Sequence, residues 1–295
     1  FIVDEKYSQL VDMIFKTIKT ANPQIGDIKF LFALGDEPNA YNNGEDIVVI
    51  YLKYFEKIDN EYQLAFTICH EIAHQLLNHS KKGILKYVET NNSDQLKEET
   101  KLIKRQKYNK GQNAKLLVKK MVYESRGENR KKETEADSLG FVMFNKAFPK
   151  QNYQAIATLE LLDKIDKEKD SLTEKDYKLF FNSEKQAFKK QWIINDELDN
   201  YVYDKTTKFW QIDSLKTHAD CLDRISFLKR KFKNISSAKT IDGYKYNSIK
   251  INSQNDVVVG LHFMKDYGNS LYETLLQLKQ NPKDLFYGIM VSTNL

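Results

Sequence analysis

The most regular hydrophobic pattern in the chain lies between residues 61 and 79. Large aliphatic residues recur there every four positions, at Leu64, Ile68, Ile72 and Leu76, and Ala65, Ala73 and Leu77 widen the apolar stripe. This spacing predicts an amphipathic helix that packs one face against a core. Asp59 and Asn60 come just before it and offer N-cap oxygens. Side chains on the polar side of this helix are therefore held by a rigid element.

Other segments give the remaining elements. Residues 28–32 and 46–51 are rich in β-branched and aromatic residues and predict two strands, separated by turn-prone stretches at 35–38 and 42–44. Amphipathic patterns predict helices over residues 153–165 and 269–280, with a further helical stretch at the end of the chain. Tyr244, Tyr246, Ile249, Ile251 and the valines at 257–259 suggest short strands. The predicted fold class is α+β, mainly α-helical, with a small β-sheet beside the helix at 61–79.

Length and composition suit a folded protein with one substantial core. The chain has 295 residues, of which 41% are apolar and 29% charged, and only four prolines, which favours a soluble and mainly helical protein. No run approaches the roughly 18 apolar residues that span a bilayer. Because the sequence starts at Phe1 without a methionine, we expect that a signal or anchor segment has been removed before it. Cys69 and Cys221 do not make a disulfide framework.

The predicted organisation has two parts. Residues 1–235 form one domain with helical insertions at about 81–132 and 166–215, and residues 236–295 form a small C-terminal α/β or helical appendage. The second insertion is charged at first and then aromatic. We interpret its aromatic side chains as a satellite core and not as a substrate platform.

Positive charge is concentrated in the first insertion. Residues 81–132 contain sixteen Lys or Arg against six Asp or Glu, a surplus of ten, although the whole chain carries only +5. Such a segment can contact an anionic membrane surface or an acidic protein. The alternative is a solvated helical insertion with no partner. Nucleic-acid binding is not expected, because no interleaved aromatic residues and no known module are evident.

The strongest chemical signal lies on the helix at 61–79. His70 and His74 are four residues apart, so both imidazoles lie on one face and can bind a single Zn²⁺, with the carboxylate of Glu71 beside it. That arrangement is typical of a metallopeptidase. The alternative is two ordinary polar residues on a surface helix. A catalytic zinc needs a third protein ligand and an open position for water, so a further donor is expected elsewhere.

The segment from Glu133 to Gly140 offers carboxylates in a suitable pattern. Glu133 and Asp137 are one helical turn apart and share a face, and Leu139, Val142, Met143 and Ala147 are predicted to pack the other side. One carboxylate can bind a metal ion, and Asp137 suits the role of holding a ligand imidazole by its second N–H. The alternative is an acidic first turn of a helix, favoured by the helix dipole.

Four segments in order resemble the signatures of the HtpX-like, BepA-like and CaaX-endopeptidase zinc peptidases of peptidase family M48. They are Asn39-Ala40, His70 to His74, Glu133 to Asp137 with Gly140, and Thr217-His218 with Arg224-Ile225. The resemblance covers roughly residues 5–232. It implies a zincin-like (gluzincin) core in which His70, His74 and Glu133 bind Zn²⁺, Glu71 is the general base and Asp137 supports the site.

Two further roles depend on this resemblance. In similar proteins the histidine at the position of His218 lies over the metal, either as a fourth ligand that displaces the water or as a donor to the oxyanion, and the sequence leaves both open. The family more often has proline where Ala219 stands. Arg224, in a predicted helix, is expected to pair with a carboxylate of the site. His79 and His262 are assigned no role.

The substrates implied are proteins or peptides. Asn39 and Ala40 mark a candidate edge where an extended peptide binds by β-augmentation, or else the sheet only covers the helix. The favoured function is a zinc endopeptidase in the periplasm or cell envelope that acts on misfolded or misassembled proteins, since soluble relatives with this motif order do such work. The alternative is a binding or chaperone-like module whose zinc site is held shut by His218.

Overall fold

The fold was obtained as a computed structural model, which describes residues 5–35, 37–167, 171–193, 220–235 and 244–295. In chain order the elements are α1 (Glu5–Ala21), β1 (Lys29–Ala33), β2 (Ala40–Asn42), β3 (Ile47–Tyr51), α2 (Leu52–Lys57), α3 (Glu61–Leu76), α4 (His79–Asn92), α5 (Asp94–Arg105), α6 (Lys110–Ala147), α7 (Tyr153–Lys167), α8 (Glu174–Phe181), α9 (Cys221–Lys231), α10 (Tyr244–Phe263), α11 (Tyr267–Gln280) and α12 (Leu285–Asn294). Short 3₁₀ turns cover Pro149–Gln151 and Lys190–Trp192. The predicted α+β, mainly helical fold class is confirmed.

Helix α3 begins as its sequence predicts. The side chain of Asn60 caps it by accepting hydrogen bonds from the backbone amides of Tyr62 and Gln63, at 3.0 and 3.1 Å. The predicted apolar stripe is buried up to Ala73, whereas Leu76 is exposed and Leu77 is half-buried. The helix ends at Leu76, three residues before the predicted end, because Asn78 adopts a left-handed conformation with φ of 54°. Asparagine tolerates that conformation better than most residues.

The sheet has three strands in the order β1-β3-β2. Strand β1 is parallel to β3, and β2 is antiparallel to β3 with Tyr41 opposite Val49. Strand β2 is thus an edge strand, and it lies next to α3. The sequence did not predict β2 as a strand, since it is only three residues long and its last residue, Asn42, belongs to a turn-prone stretch. Gly44, with φ of 88°, makes the turn to β3.

Helix α6 is a single element of 38 residues that runs from the basic segment into the second carboxylate motif. Glu133 therefore lies deep in the helix, and the alternative of an acidic first turn is wrong. The predicted apolar face is also wrong in part, because Val142 is exposed. The buried face holds the carboxylates together with packing residues, namely Glu133, Ala136, Asp137, Gly140, Phe141, Met143 and Phe144. Packing against α3 buries this face, so the carboxylates and the residues that pack the core lie on the same side of α6.

The chain divides into two compact units, Phe1–Lys164 with Trp210–Lys250, and Ile165–Phe209 with Ile251–Leu295. The core of the first unit lies between α1, the sheet, α2, α3 and α6, with Tyr7, Phe32 and Phe55 in mutual ring contact. Neither cysteine is in a disulfide. Among the described residues, no helix combines the length and apolarity that crossing a bilayer requires.

The second unit has its own apolar cluster. Its buried members are Val258, Leu275, Leu278, Tyr287 and Met290, and Phe180 and Phe181 of the second insertion pack against them. Tyr201, Tyr203 and Trp210 lie outside the described residues. The strands suggested between Tyr244 and Val259 are wrong, because these residues form α10. Short apolar runs do not distinguish a strand from a buried helix. The domain boundary at residues 235 and 236 stays a prediction.

Candidate metal centre

Three side chains from two helices converge on one point. His70 and His74 lie on α3 and Glu133 on α6. The Nε2 atoms of the two histidines are 3.0 Å apart, and each of them lies 3.4 Å from a carboxylate oxygen of Glu133. Ligand atoms about 2.0–2.1 Å from a tetrahedral zinc ion are about 3.3–3.4 Å apart, so the spacing fits a shared Zn²⁺. Within the described part of the chain, this is the one group of three His, Cys, Asp or Glu residues that could hold a metal ion.

Close packing of α6 on α3 brings Glu133 to the histidines. At Gly140, an added Cβ would lie 3.0 Å from the Cα of His70 and 3.1 Å from its backbone nitrogen. Contacts this short are tighter than nine in ten real Cβ contacts, so an alanine here would require the neighbouring backbone to shift by a few tenths of an ångström. Glycine at this position therefore lets the two helices approach, and the carboxylates one and two turns earlier on α6 reach His70.

A buried ion pair lies behind His70. The Nδ1 of His70 is 3.0 Å from Oδ1 of Asp137, as an ion-pair contact and not as a well-aligned hydrogen bond. The Nε and Nη2 of Arg224 each donate to a different oxygen of Asp137, both at 2.6 Å. Burial alone would raise the pKa of Asp137, but Arg224 and His70 hold it below its usual range. Arg224 also lies 3.6 Å from Glu133.

The pKa values of the two histidines are shifted in opposite directions. Burial alone would lower the pKa of His70, but the carboxylates of Asp137 and Glu133 raise it to about 10. By contrast, the pKa of His74 is lowered to about 3, chiefly by burial and then by the neighbouring charge of His70. Two imidazoles and a carboxylate are the donor set that a catalytic zinc ion takes.

Glu71 faces the edge strand. Its Oε2 accepts a hydrogen bond from the backbone amide of Asn42 in β2, at 2.9 Å. The carboxylate is buried and lies one residue from His70 on the same helix. This places an acidic side chain between the metal ligands and the outer side of β2.

The outer side of β2 presents backbone groups beside this carboxylate. Residues on either side of β2 bond to β3: the carbonyl of Asn39 accepts a hydrogen bond from the amide of Tyr51, and the amide of Asn43 donates to the carbonyl of Ile47. Because hydrogen-bonded and non-bonded pairs alternate in an antiparallel ladder, Ala40 and Asn42 direct their backbone groups away from β3. The amide of Ala40 is bonded to the Oδ1 of Asn39, at 2.8 Å. The side chain of Asn39 therefore caps the outward amide of Ala40.

Two residues at this centre were not predicted. The Nδ1 of His79 lies 3.0 Å from the Nδ1 of His74, and its Nε2 lies 3.1 Å from Oε2 of Glu135. Five residues from His74 do not place His79 on the same face of a continuous helix, so the sequence spacing argues against the contact. The left-handed Asn78 between α3 and α4 returns the chain and makes the contact. The feature of the sequence that could have indicated this contact is Glu135, a carboxylate two residues after the proposed ligand Glu133.

The structure thus brings together Glu71, His70, His74, Glu133, Asp137 and Arg224. The predicted role of His218 is untested, since Thr217, His218 and Ala219 lie outside the described residues. Cys69 is buried in α3 beside His70, and burial raises the pKa of its thiol. His262 lies in the second unit, where its Nδ1 is 2.8 Å from Asn294.

A protein-family model matches most of the chain. The family model described as Peptidase family M48 matches residues 7–231, a span that contains every residue of the metal centre. No curated protein sequence matches the chain.

Proposed function

The chain belongs to peptidase family M48, and on that premise we propose that it is a zinc-dependent endopeptidase with Glu71 as its general base. The family is one of zinc metallopeptidases with a zincin-like fold, so a peptidase acting on protein or peptide substrates is established at that level. The observation that carries the proposal is the convergence of His70, His74 and Glu133 beside the Glu71 carboxylate.

The three converging side chains would hold the metal, and Glu71 would move the proton. When bound, Zn²⁺ polarises the scissile carbonyl and lowers the pKa of a coordinated water towards about 7. The carboxylate of Glu71 accepts a proton from the attacking water and passes it to the leaving amine. The amide of Asn42 holds one oxygen of Glu71 in place. Asp137, supported by Arg224, keeps the imidazole of His70 oriented.

The position of β2 supports cleavage inside a chain. The amide of Asn42 stays with Glu71, so a peptide would pair with the outward backbone groups of Ala40 and with the carbonyl of Asn42, and would run past Glu71 with residues on both sides of the scissile bond. The side chain of Asn39 has to leave the amide of Ala40 for that pairing to form. Misfolded proteins expose extended segments of this kind, and they are the substrate class that we propose.

Glu71→Gln tests the assignment of the base. The variant should bind zinc as wild type does and lose cleavage of an unfolded protein, assayed by mass spectrometry of the products. Internal fragments distinguish an endopeptidase from an enzyme that trims chain ends. Glu61→Gln, in the first turn of the same helix, is the matched control and should cleave normally. Normal turnover by Glu71→Gln, or only terminal trimming by wild type, would contradict the proposal.

A cell-envelope location is a further part of the proposal, and α4 supports it. Ile84, Leu85 and Val88 fall on one side of this helix and are 66%, 51% and 48% exposed. They belong to the segment 81–132 with its surplus of ten positive charges. An exposed apolar face within a basic region fits the surface of an anionic membrane. We therefore propose that α4 binds such a surface, in the periplasm or elsewhere in the envelope.

Vesicle sedimentation tests the membrane contact. Wild type should bind vesicles of phosphatidylcholine with phosphatidylglycerol, should bind much less to pure phosphatidylcholine, and should be released by salt. Ile84→Asn with Leu85→Asn should lose binding, whereas Leu285→Asn, an exposed residue of the second unit, should not. Equal binding by all variants, or capture by an acidic protein with no vesicle binding, would refute the membrane contact.

A further inference from the structure

His79 is a buried histidine outside the ligand set that contacts a metal ligand directly. It is the first residue of α4 and only 4% exposed, although most of that helix is exposed to solvent. Its ring packs edge-on against the ring of His74, with centroids 4.9 Å apart and an interplanar angle of 77°. Both of its nitrogens have partners, Nδ1 with His74 and Nε2 with Glu135. The ring therefore bridges a ligand on α3 and a carboxylate on α6.

The partners fix the direction of the hydrogen bonds. An ionised carboxylate only accepts, so Nε2 of His79 donates to Glu135. In neutral His79, Nδ1 then carries the lone pair and accepts the Nδ1–H of His74. Only one proton fits between two Nδ1 atoms that are 3.0 Å apart, and placing it on His74 leaves His79 neutral. The Nε2 of His74 is consequently left without a proton, and it is this atom that faces His70 and Glu133.

We infer that His79 and Glu135 are positioning residues that set the tautomer and the ring orientation of His74 for Zn²⁺. The inference deepens the proposed function and rests on its zinc site. Metal-bound histidines generally donate their second N–H to an acceptor that orients the ring. His70 has the carboxylate of Asp137 at its Nδ1, and His74 has His79 at the same atom. Each ligand imidazole thus has its own support, directly in one case and through a second ring in the other.

Two substitutions of His79 separate positioning from packing. His79→Asn puts an amide oxygen near the position of Nδ1, so His74 keeps an acceptor, whereas His79→Leu fills the space without one. We expect His79→Leu to weaken zinc binding about 10–100-fold, in competition with a chromophoric chelator, and His79→Asn to stay near wild type. His262→Leu, which removes a half-buried histidine of the second unit, is the control. Circular dichroism of the metal-free proteins shows whether each variant folds.

The tautomer itself can be observed. In the zinc-loaded protein, nitrogen-15 NMR of the histidine rings should show His74 protonated at Nδ1 and metal-bound through Nε2. Coordination of His74 through Nδ1 would overturn the inference, and so would wild-type zinc affinity in a folded His79→Leu protein. Absence of zinc binding by wild type would instead reject the metal site and with it the proposed function.

Glu135 gives a second, milder test. Its side chain is 60% exposed, so Glu135→Ala should fold even if His79→Leu does not. We expect a smaller loss of zinc affinity than with His79→Leu, because His79 keeps its contact with His74 but loses the carboxylate that fixes its own tautomer. Unchanged affinity in Glu135→Ala would remove Glu135 from the inferred role.

Discussion

Replacing Arg224 by methionine should destabilise the metal-free protein strongly. Arg224 is 5% exposed and Asp137 fully buried, and two hydrogen bonds of 2.6 Å join them. Removing Arg224 leaves the buried charge of Asp137 with His70 as its remaining charged neighbour, and breaking a buried pair in this way costs about 3–5 kcal/mol. A domain of ordinary stability has about 5–15 kcal/mol in total, so the variant should still fold but unfold at much lower denaturant concentration.

The double variant Arg224→Met with Asp137→Leu makes the prediction sharper. Replacing both members of a buried pair by apolar side chains is often neutral or stabilising, so the unfolding free energy should return close to that of wild type. Zinc affinity should not return, since His70 has lost the carboxylate at its Nδ1. Stability and metal binding would then separate in one protein. Arg224→Lys, which keeps the charge but not the two-pronged contact, should fall between wild type and Arg224→Met.

Urea denaturation in the presence of a chelator, followed by circular dichroism, measures these free energies. Arg230→Met is the matched control, because Arg230 is an exposed arginine of the same helix. It should change the unfolding free energy by less than about 0.5 kcal/mol. If Arg224→Met lowers the free energy of unfolding by less than about 1 kcal/mol, the range of a surface pair, then Arg224 and Asp137 do not behave as a buried ion pair.

Three further predictions concern the elements that form the site. Gly140→Ala should lower the free energy of unfolding by about 1–3 kcal/mol and weaken zinc binding, because its Cβ would press on the backbone of His70. The control Gly111→Ala, in open space on the same helix, should stabilise the protein slightly. Equal effects of the two substitutions in denaturation and zinc titration would contradict the close approach of the two helices. Asn60→Ala should cost about 1 kcal/mol in thermal unfolding through loss of the α3 cap, and no change would show that the cap is not needed. The pKa of Asp137 is lowered in the folded state, so its ionised carboxylate stabilises the protein above the ordinary pKa near 3.9. This stabilisation is lost as the pH falls through the lower, folded-state pKa. In that pH range, acid unfolding of metal-free wild type should therefore be steeper than that of the Arg224→Met, Asp137→Leu protein.

The sequence was informative where chemistry and local periodicity coincide. The helix carrying His70 and His74 follows from its aliphatic stripe and from the cap at Asn60, both of which are local in the chain. The spacing of Glu133 and Asp137 placed them on one face of a helix, as the structure has them. Their convergence with the histidines rests on the fit between two helices, and only the resemblance to a family pointed to it.

What the sequence missed depends on contacts distant in the chain or on unusual backbone. Strand β2 has three residues and exists because β3 offers a partner edge. The contact of His79 with His74 depends on the left-handed conformation of Asn78, which a hydrophobic pattern does not predict. The run of valines at 257–259 was read as strand, but two of them fill the apolar core of a helical unit. In each case tertiary context outweighed local preference.

Anomalous X-ray diffraction at the zinc absorption edge, from crystals of the purified protein, shows whether the three side chains share one zinc ion. We expect one strong peak about 2.0–2.2 Å from the Nε2 atoms of His70 and His74 and from a carboxylate oxygen of Glu133. A zinc-replete protein with no peak at that point, or with Glu133 turned away from the metal, would contradict this expectation.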